Sequence, residues 1–178
     1  MLKGQTVALT ELRHEDSETL FRWINDPETV RFNAAYAPVH APNHASWFET
    51  IAKDSSRIVF AIRKIADPNI IGMLQIANVH PIHRSAEIII RIGDEKNRGL
   101  GAGSEAVKLA THFAFHDRNL QRVWLRVFAG NPRAIRAYEK AGLQVEGRLR
   151  RACFIDGKWV DELVMAALAE MPGGTTTP

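Results

Sequence analysis

The order of apolar and polar positions divides the chain into short elements of alternating type. Thr6 to Glu11 alternates Val7 and Leu9 with polar neighbours, which predicts a strand. Glu15 to Asn25 then places Leu20, Trp23 and Ile24 at helical spacing before Asp26-Pro27 stops it. Pro42 to Asp54 carries Trp47, Phe48 and Ile51 on one helical face, and the apolar runs Ile58 to Ile62 and Ile70 to Ile76 flank Asp67-Pro68-Asn69 as the arms of a hairpin. Glu87 to Ile92 is nearly unbroken isoleucine, the pattern of a strand covered on both faces. Gly101 to Asp117 returns to helical spacing, with Ala106, Ala110, Phe113 and Ala114 inward.

Val123 to Phe128 predicts a further strand. Asn131-Pro132 offers an N-cap and first helical residue, and Gly142 stands where that helix needs a left-handed end. Arg150 to Ile155 and Trp159 to Leu168 enclose Asp156-Gly157, a dipeptide suited to a type I′ hairpin turn. The order β-α-α-β-β-β-α-β-α-β-β mixes hairpins with two βα units, so the expected class is α+β around a mixed sheet. A doubly wound sheet would alternate throughout.

Composition narrows this further. The chain has 178 residues, 46% hydrophobic and 24% charged, which suits one domain over 1–171 without covalent staples. Residues 172–178, Pro-Gly-Gly-Thr-Thr-Thr-Pro, have nothing apolar to bury and are expected to be a disordered tail. A single cysteine, Cys153, excludes an internal disulfide framework. The start lacks a signal-peptide core and no apolar run approaches the roughly 20 residues of a membrane span, so a cytoplasmic location and no membrane partner are expected. The net charge of +3 comes without dense basic clusters, so no nucleic-acid partner is expected, and the charge fits an anionic ligand equally well.

The sharpest local feature is Arg98-Gly99-Leu100-Gly101-Ala102-Gly103-Ser104, between the isoleucine strand and the helix after it. Glycines let a backbone approach a ligand, and a helix start presents free N–H groups with the dipole behind them, which suits a phosphate. The loop lacks the Gly-Lys-Ser/Thr of a nucleotide triphosphate loop and the last glycine of G-x-G-x-x-G. A bare strand-to-helix turn fits the same residues.

With Arg98, Gly101 and Gly103 matching Arg/Gln-x-x-Gly-x-Gly/Ala, the loop resembles that of the GCN5-related N-acetyltransferases. The helix Asn131 to Leu143 is similar to the family's N-x-x-A-x-x-x-Y-x-x-x-G-F segment, with Leu143 for the usual Phe. The opening Thr10 to Trp23 and the closing Glu146 to Trp159 resemble the RimJ/RimL and spermidine acetyltransferase branch. This resemblance implies a mostly antiparallel sheet whose two central parallel strands splay apart. It implies acetyl-CoA as co-substrate, its pyrophosphate on the amides of Arg98, Gly99, Leu100, Gly101, Ala102, Gly103 and Ser104. Its pantetheine arm would run beside Ile90 and Ile92, near Asn131, with an N–H near Ile90 as donor to the thioester oxygen.

The resemblance further implies Tyr138 as the general acid that protonates the departing thiolate, although a tyrosine on a helical face can equally be a packing residue. Glu87 matches a glutamate that serves as base directly or through water, and could instead be an ion-pair partner of Arg84; His80 and His83 are alternatives. No metal is expected, because the two histidines lack a completing carboxylate. Cys153 reads as a small apolar residue, favouring direct transfer over an acyl-enzyme.

Acceptors suggested by the resemblance are a nucleotide-linked amino sugar, a polyamine or the N-terminus of a ribosomal protein. Arginines would neutralise a diphosphate, whereas a polyamine calls for acids, of which the first helices carry Glu15, Asp16, Glu18, Asp26 and Glu28. A non-catalytic acyl-CoA sensor is the alternative of another class. The closing hairpin offers an edge for a homodimer.

Overall fold

Alternating apolar residues build a sheet, and alanine-rich helical stripes let helices lie close on it. The computed structural model describes residues 1–51 and 53–170. Its strands are β1 (Leu2–Lys3), β2 (Val7–Thr10), β3 (Ile58–Lys64), β4 (Ile70–His80), β5 (Ser85–Ile92), β6 (Arg122–Phe128), β7 (Gln144–Ile155) and β8 (Lys158–Leu168). Its α-helices are α1 (Asp16–Ile24), α2 (Pro27–Val30), α3 (Ala41–Ile51), α4 (Ala102–His116) and α5 (Pro132–Lys140).

The strands form one sheet in the order β1-β2-β3-β4-β5-β6-β8-β7. Every pairing is antiparallel except β5 with β6. The expected mixed, mostly antiparallel α+β sheet is therefore present. Three elements went unpredicted, β1, α2 and a 3-10 turn at Glu95–Asn97, which at two, four and three residues are too short to show a period. The tail expected at 172–178 lies outside the described residues. Among those residues no helix is long and apolar enough to cross a membrane.

One expectation is corrected. The isoleucine strand is not covered on both faces: Ile89 of β5 is 40% exposed, while Ile88 and Ile90 on the opposite face are buried. Isoleucine runs mark burial only when both faces meet protein, and the Ile89 face borders a cavity.

Ala102, Ala106, Ala110 and Ala114 of α4 pack on the inner face with Ile88, Ile90, Val123 and Leu125. Glu105 of α4 reaches β1–β2, its carboxylate accepting the N–H groups of Thr6 at 3.1 Å and Val7 at 3.2 Å. On the other face Leu20 and Trp23 of α1 pack on Ala61 and Ile70. Gly93 follows β5 where an added Cβ would lie 2.0 Å from the Trp23 ring, so only glycine admits that contact.

A buried ion pair fixes α1 to the sheet. The Arg63 guanidinium donates to both Asp16 oxygens, at 3.0 and 2.6 Å, and to the Pro68 carbonyl at 2.7 Å. Removing one partner of such a pair strands the other charge, at a cost of about 3–5 kcal/mol. Asp16→Ala is therefore expected to lower the thermal midpoint by on the order of 10 °C. Thermal unfolding followed by circular dichroism checks this, and a shift within error would mean that water reaches Arg63.

Candidate active site

Strands β5 and β6 are in register at Ser85↔Arg122, Ala86↔Val123 and Glu87↔Trp124, and part beyond that point. Their outer neighbours continue: β4 follows β5 to Gly72↔Ile92, and β8 follows β6 to Phe128↔Glu162. The opened V holds a cavity of about 460 Å³, lined by Ile90 and Ile92 on one side and Arg126 and Val127 on the other. The Ile90 carbonyl accepts from Asn33 Nδ2 at 3.3 Å instead of from a strand.

The glycine loop closes one end of this cavity. Gly99 and Gly101 have φ of +78° and +89°, the left-handed region that favours glycine. Gly101 caps α4 without a side-chain hydrogen bond, leaving first-turn N–H groups for a ligand. Gly99, Gly101, Gly103, Ser104 and Arg98 line the cavity; Leu100 and Ala102 do not, and can contribute backbone only. The Arg98 side chain works as a brace. Its guanidinium donates to the carbonyls of Ile92, at 3.3 Å, and of Gly93, and to Thr29 Oγ1 at 3.1 Å.

Helix α5 supplies the facing wall. Asn131 lines the cavity, but its Oδ1 accepts the Ala134 N–H at 3.1 Å as the N-cap, so Nδ2 is the part left for a ligand. Tyr138 keeps a face on the cavity while the surrounding protein pushes its phenol up to about 12 by burial. Three cations absent from the sequence reading stand here as well: Arg133, Arg136 and Lys140. Their i, i+3, i+7 spacing on one helical face was the available signal. Phe32 adds an aromatic ring within 5.7 Å of the Arg98 and Arg133 guanidinium carbons. Backbone donors, two left-handed glycines and a basic helical face together fit a CoA pyrophosphate and phosphate.

Glu87 sits at the apex of the V, almost buried, and lines neither this cavity nor the next. Its carboxylate accepts from Asn78 Nδ2 at 2.9 Å and faces Arg126 Nε at 3.7 Å. Arg84 instead donates to the Asn119 carbonyl at 2.7 Å, so it is not the ion-pair partner of Glu87. His80 and His83 stack on each other at 4.0 Å and line neither cavity. Burial, then the Glu162 charge, raises the Cys153 thiol above its ordinary value, which holds it protonated and poorly nucleophilic.

A second cavity, of about 470 Å³, opens on the other face of β4 and β5 between α1 and α3. It shares Asn33, Ile90 and Arg91 with the first. One cavity offers anion-binding loops and the other an apolar chamber, meeting where the central strands part.

A family model described as an acetyltransferase (GNAT) domain matches residues 6–144. The chain belongs to the GNAT acetyltransferase family. It is an acetyl-CoA-dependent N-acetyltransferase. It is 27% identical to spermidine N(1)-acetyltransferase of Escherichia coli K12, over 93% of this chain and 87% of the relative. The Vibrio cholerae spermidine N(1)-acetyltransferase is 35% identical over 96 residues, 54% of this chain and 55% of that protein. The probable N-acetyltransferase YjcK of Bacillus subtilis is 28% identical across 94% of this chain and 97% of its own length. In structure, the GNAT fold here matches the Vibrio cholerae spermidine N-acetyltransferase in complex with CoA and spermine, with a TM-score of 0.83 and 25% identity, covering 91% of this chain and 95% of that one.

The α5 cations generate a prediction. Arg133→Ala with Arg136→Ala is expected to weaken CoA binding about tenfold at low salt, with a smaller loss near 0.5 M salt as screening removes the term. Isothermal titration calorimetry at both ionic strengths measures this, and an unchanged affinity would exclude α5 from the CoA site.

Proposed function

We propose that this acetyltransferase transfers the acetyl group of acetyl-CoA directly to the primary amine of a small molecule, with Tyr138 as general acid and Glu87 as general base. The observation that carries the reading is the meeting of two cavities at Asn33, Ile90 and Arg91, inside the parted strands. Ile90, Ile92, Asn131 and the backbone of Arg98 to Ser104 hold acetyl-CoA in this reading. Bound acetyl-CoA supplies an activated thioester carbonyl.

Within a strand, the N–H and C=O of one residue leave on the same side. Since Asn33 meets the Ile90 carbonyl where no strand pairs, the Ile90 N–H faces the V too, and suits the oxygen that gains charge as the amine attacks. The new C–N bond forms, the C–S bond breaks, and the Tyr138 hydroxyl gives its proton to the departing sulfur. The amine's proton reaches Glu87 through water, a route favoured because Glu87 lines neither cavity. The protonated Cys153 thiol supports transfer without an acyl-enzyme.

For the acceptor, the relatives named for spermidine bring in a polyamine, while arginines near the cleft would suit a nucleotide-linked amino sugar. Both present a primary amine to the same junction.

Tyr138→Phe is expected to lower kcat by about 10²- to 10³-fold with little change in the KM for acetyl-CoA. A phenol raised to about 12 stays protonated through neutral and alkaline pH, so kcat should show no alkaline decline below about pH 10. Thiol-release kinetics on both proteins test this; a mutant of near wild-type rate would remove Tyr138 as the acid. Tight CoA binding with no amine acetylated would replace the enzyme reading with that of an acyl-CoA sensor.

A further inference from the structure

The second cavity carries information about the acceptor that neither the loop nor Tyr138 contains. Its walls are Leu20, Trp23 and Ile24 of α1, Trp47 of α3, Met73 of β4 and Ile89 of β5. The polar remainder is Asn33, Asn43, His44, Gln75 and Arg91, with no carboxylate.

The acids of the first helices, which kept a polyamine open, are engaged or placed elsewhere. Asp16 is buried against Arg63. Asp26 caps α2 through the Glu28 N–H at 3.1 Å and holds Thr29 Oγ1 at 2.5 Å. Glu28 pairs with Arg31 at 2.8 Å, and Glu15 and Glu18 are exposed outside the cavity. A polyamine's ammonium groups would meet apolar rings and a cation.

That cation is unusual. Arg91 Nε is sealed from solvent and has no hydrogen-bond partner. Burial, then the like charge of Arg98, pushes its pKa below the ordinary arginine value, and no carboxylate opposes them. By contrast, Arg63 is matched by Asp16 and Arg57 by Asp54. A guanidinium whose Nε is shut away from water with no partner and no counter-ion carries a cost, and an anionic ligand reduces that cost. Arg91 follows Ile90 directly, so the anion would sit beside the amine that attacks near Ile90. A single guanidinium balances one monoanion, whereas a diphosphate calls for several.

Resting on the acetyltransferase reading above, we propose that the acceptor is an α-amino carboxylate with a large apolar or aromatic side chain. Its carboxylate pairs with Arg91, its side chain lies among Trp23, Trp47 and Met73, and its amine faces the junction at Ile90. No carboxylate of this cavity holds the amine as an ammonium ion, so it binds readily as the free base that attack requires. Arg91 is thus a specificity-determining residue.

The test compares L-phenylalanine, L-methionine and L-leucine with their carboxamides, which keep amine and side chain and lose only the charge. Spermidine and a uridine-diphosphate amino sugar complete the panel. The wild type should favour acid over amide by about 30-fold or more in kcat/KM, the worth of a charge-assisted contact. Arg91→Gln should bring that ratio near one, and Arg91→Lys should retain part of it, while CoA affinity by calorimetry changes less than threefold in both. Preference for amide, spermidine or nucleotide sugar would overturn the proposal and leave acetyl transfer standing. An unchanged acid-to-amide ratio with weakened CoA binding in Arg91→Gln would overturn it also, placing Arg91 in the CoA site. Should no amine turn over, calorimetry with the enzyme–CoA complex decides: acid bound and amide not keeps the carboxylate site while transfer fails, and neither bound overturns the site itself.

Discussion

The parting of β5 from β6 after Glu87↔Trp124 is the constraint on which the rest of the structure depends. Unpaired backbone groups inside a sheet are costly, so the gap persists only because each wall is tied on its far side. β4 pairs with β5 to Ile92, and β8 pairs with β6 to Phe128, so neither strand can relax into the other. Asn33 takes the orphan carbonyl of Ile90 and Arg98 that of Ile92, and the gap between the strands opens as the cavity. The α4 start, braced by the Arg98 side chain, and the α5 face then converge on a slot whose shape is set by the sheet.

Charge is distributed with the same logic. Cations that meet solvent and line the slot, Arg133, Arg136 and Lys140, cost little to leave unpaired, because water screens them until an anion arrives. Cations inside the fold are matched: Arg63 with Asp16, and half-buried Arg126 between Glu87 at 3.7 Å and Glu162 at 3.5 Å. Glu87 is thereby held at the apex in one orientation by Arg126 and Asn78, which suits a proton acceptor reached through water better than one in contact with substrate. Arg91 stands apart from both groups: it lines both cavities, and its Nε is sealed from solvent with no hydrogen-bond partner.

Much of the fold was legible because its elements obey strong local rules. Asn131-Pro132 caps α5 as the dipeptide predicts, with Gly142 left-handed after it at φ +95°. Asp156 and Gly157 both adopt positive φ in the final turn. The glycine loop was legible for the same reason, since left-handed φ at Gly99 and Gly101 admits few other residues. What escaped was long-range. Nothing local distinguishes Ile89, facing a cavity, from Ile88, facing α4, because alternation gives the two faces without saying what covers them. Nothing local says where Arg91 or the α5 cations will stand either, because only tertiary packing brings them to the cavity. Asp16 and Asp26 looked like acceptor-binding acids for the converse reason.

The two halves of the site also differ in how firmly the fold dictates them. The first cavity offers backbone amides, two left-handed glycines and one helix start, features that depend on backbone conformation more than on the side chains around them. The second cavity is walled by α1, α3 and the outward positions of β4 and β5, where Met73, Gln75, Ile89 and Arg91 alternate with core residues such as Leu74 and Ile90. Period-two alternation means an outward residue can change without disturbing the inward neighbour that packs on α4 or the backbone that meets the thioester. The lining of the second cavity can therefore change without altering the backbone groups at the junction. Identity of about a quarter to a spermidine enzyme is compatible with the same cofactor slot and a different amine. These outward positions share a strand with the residues that line the V but face away from the core, and in this chain the charge placed there is Arg91.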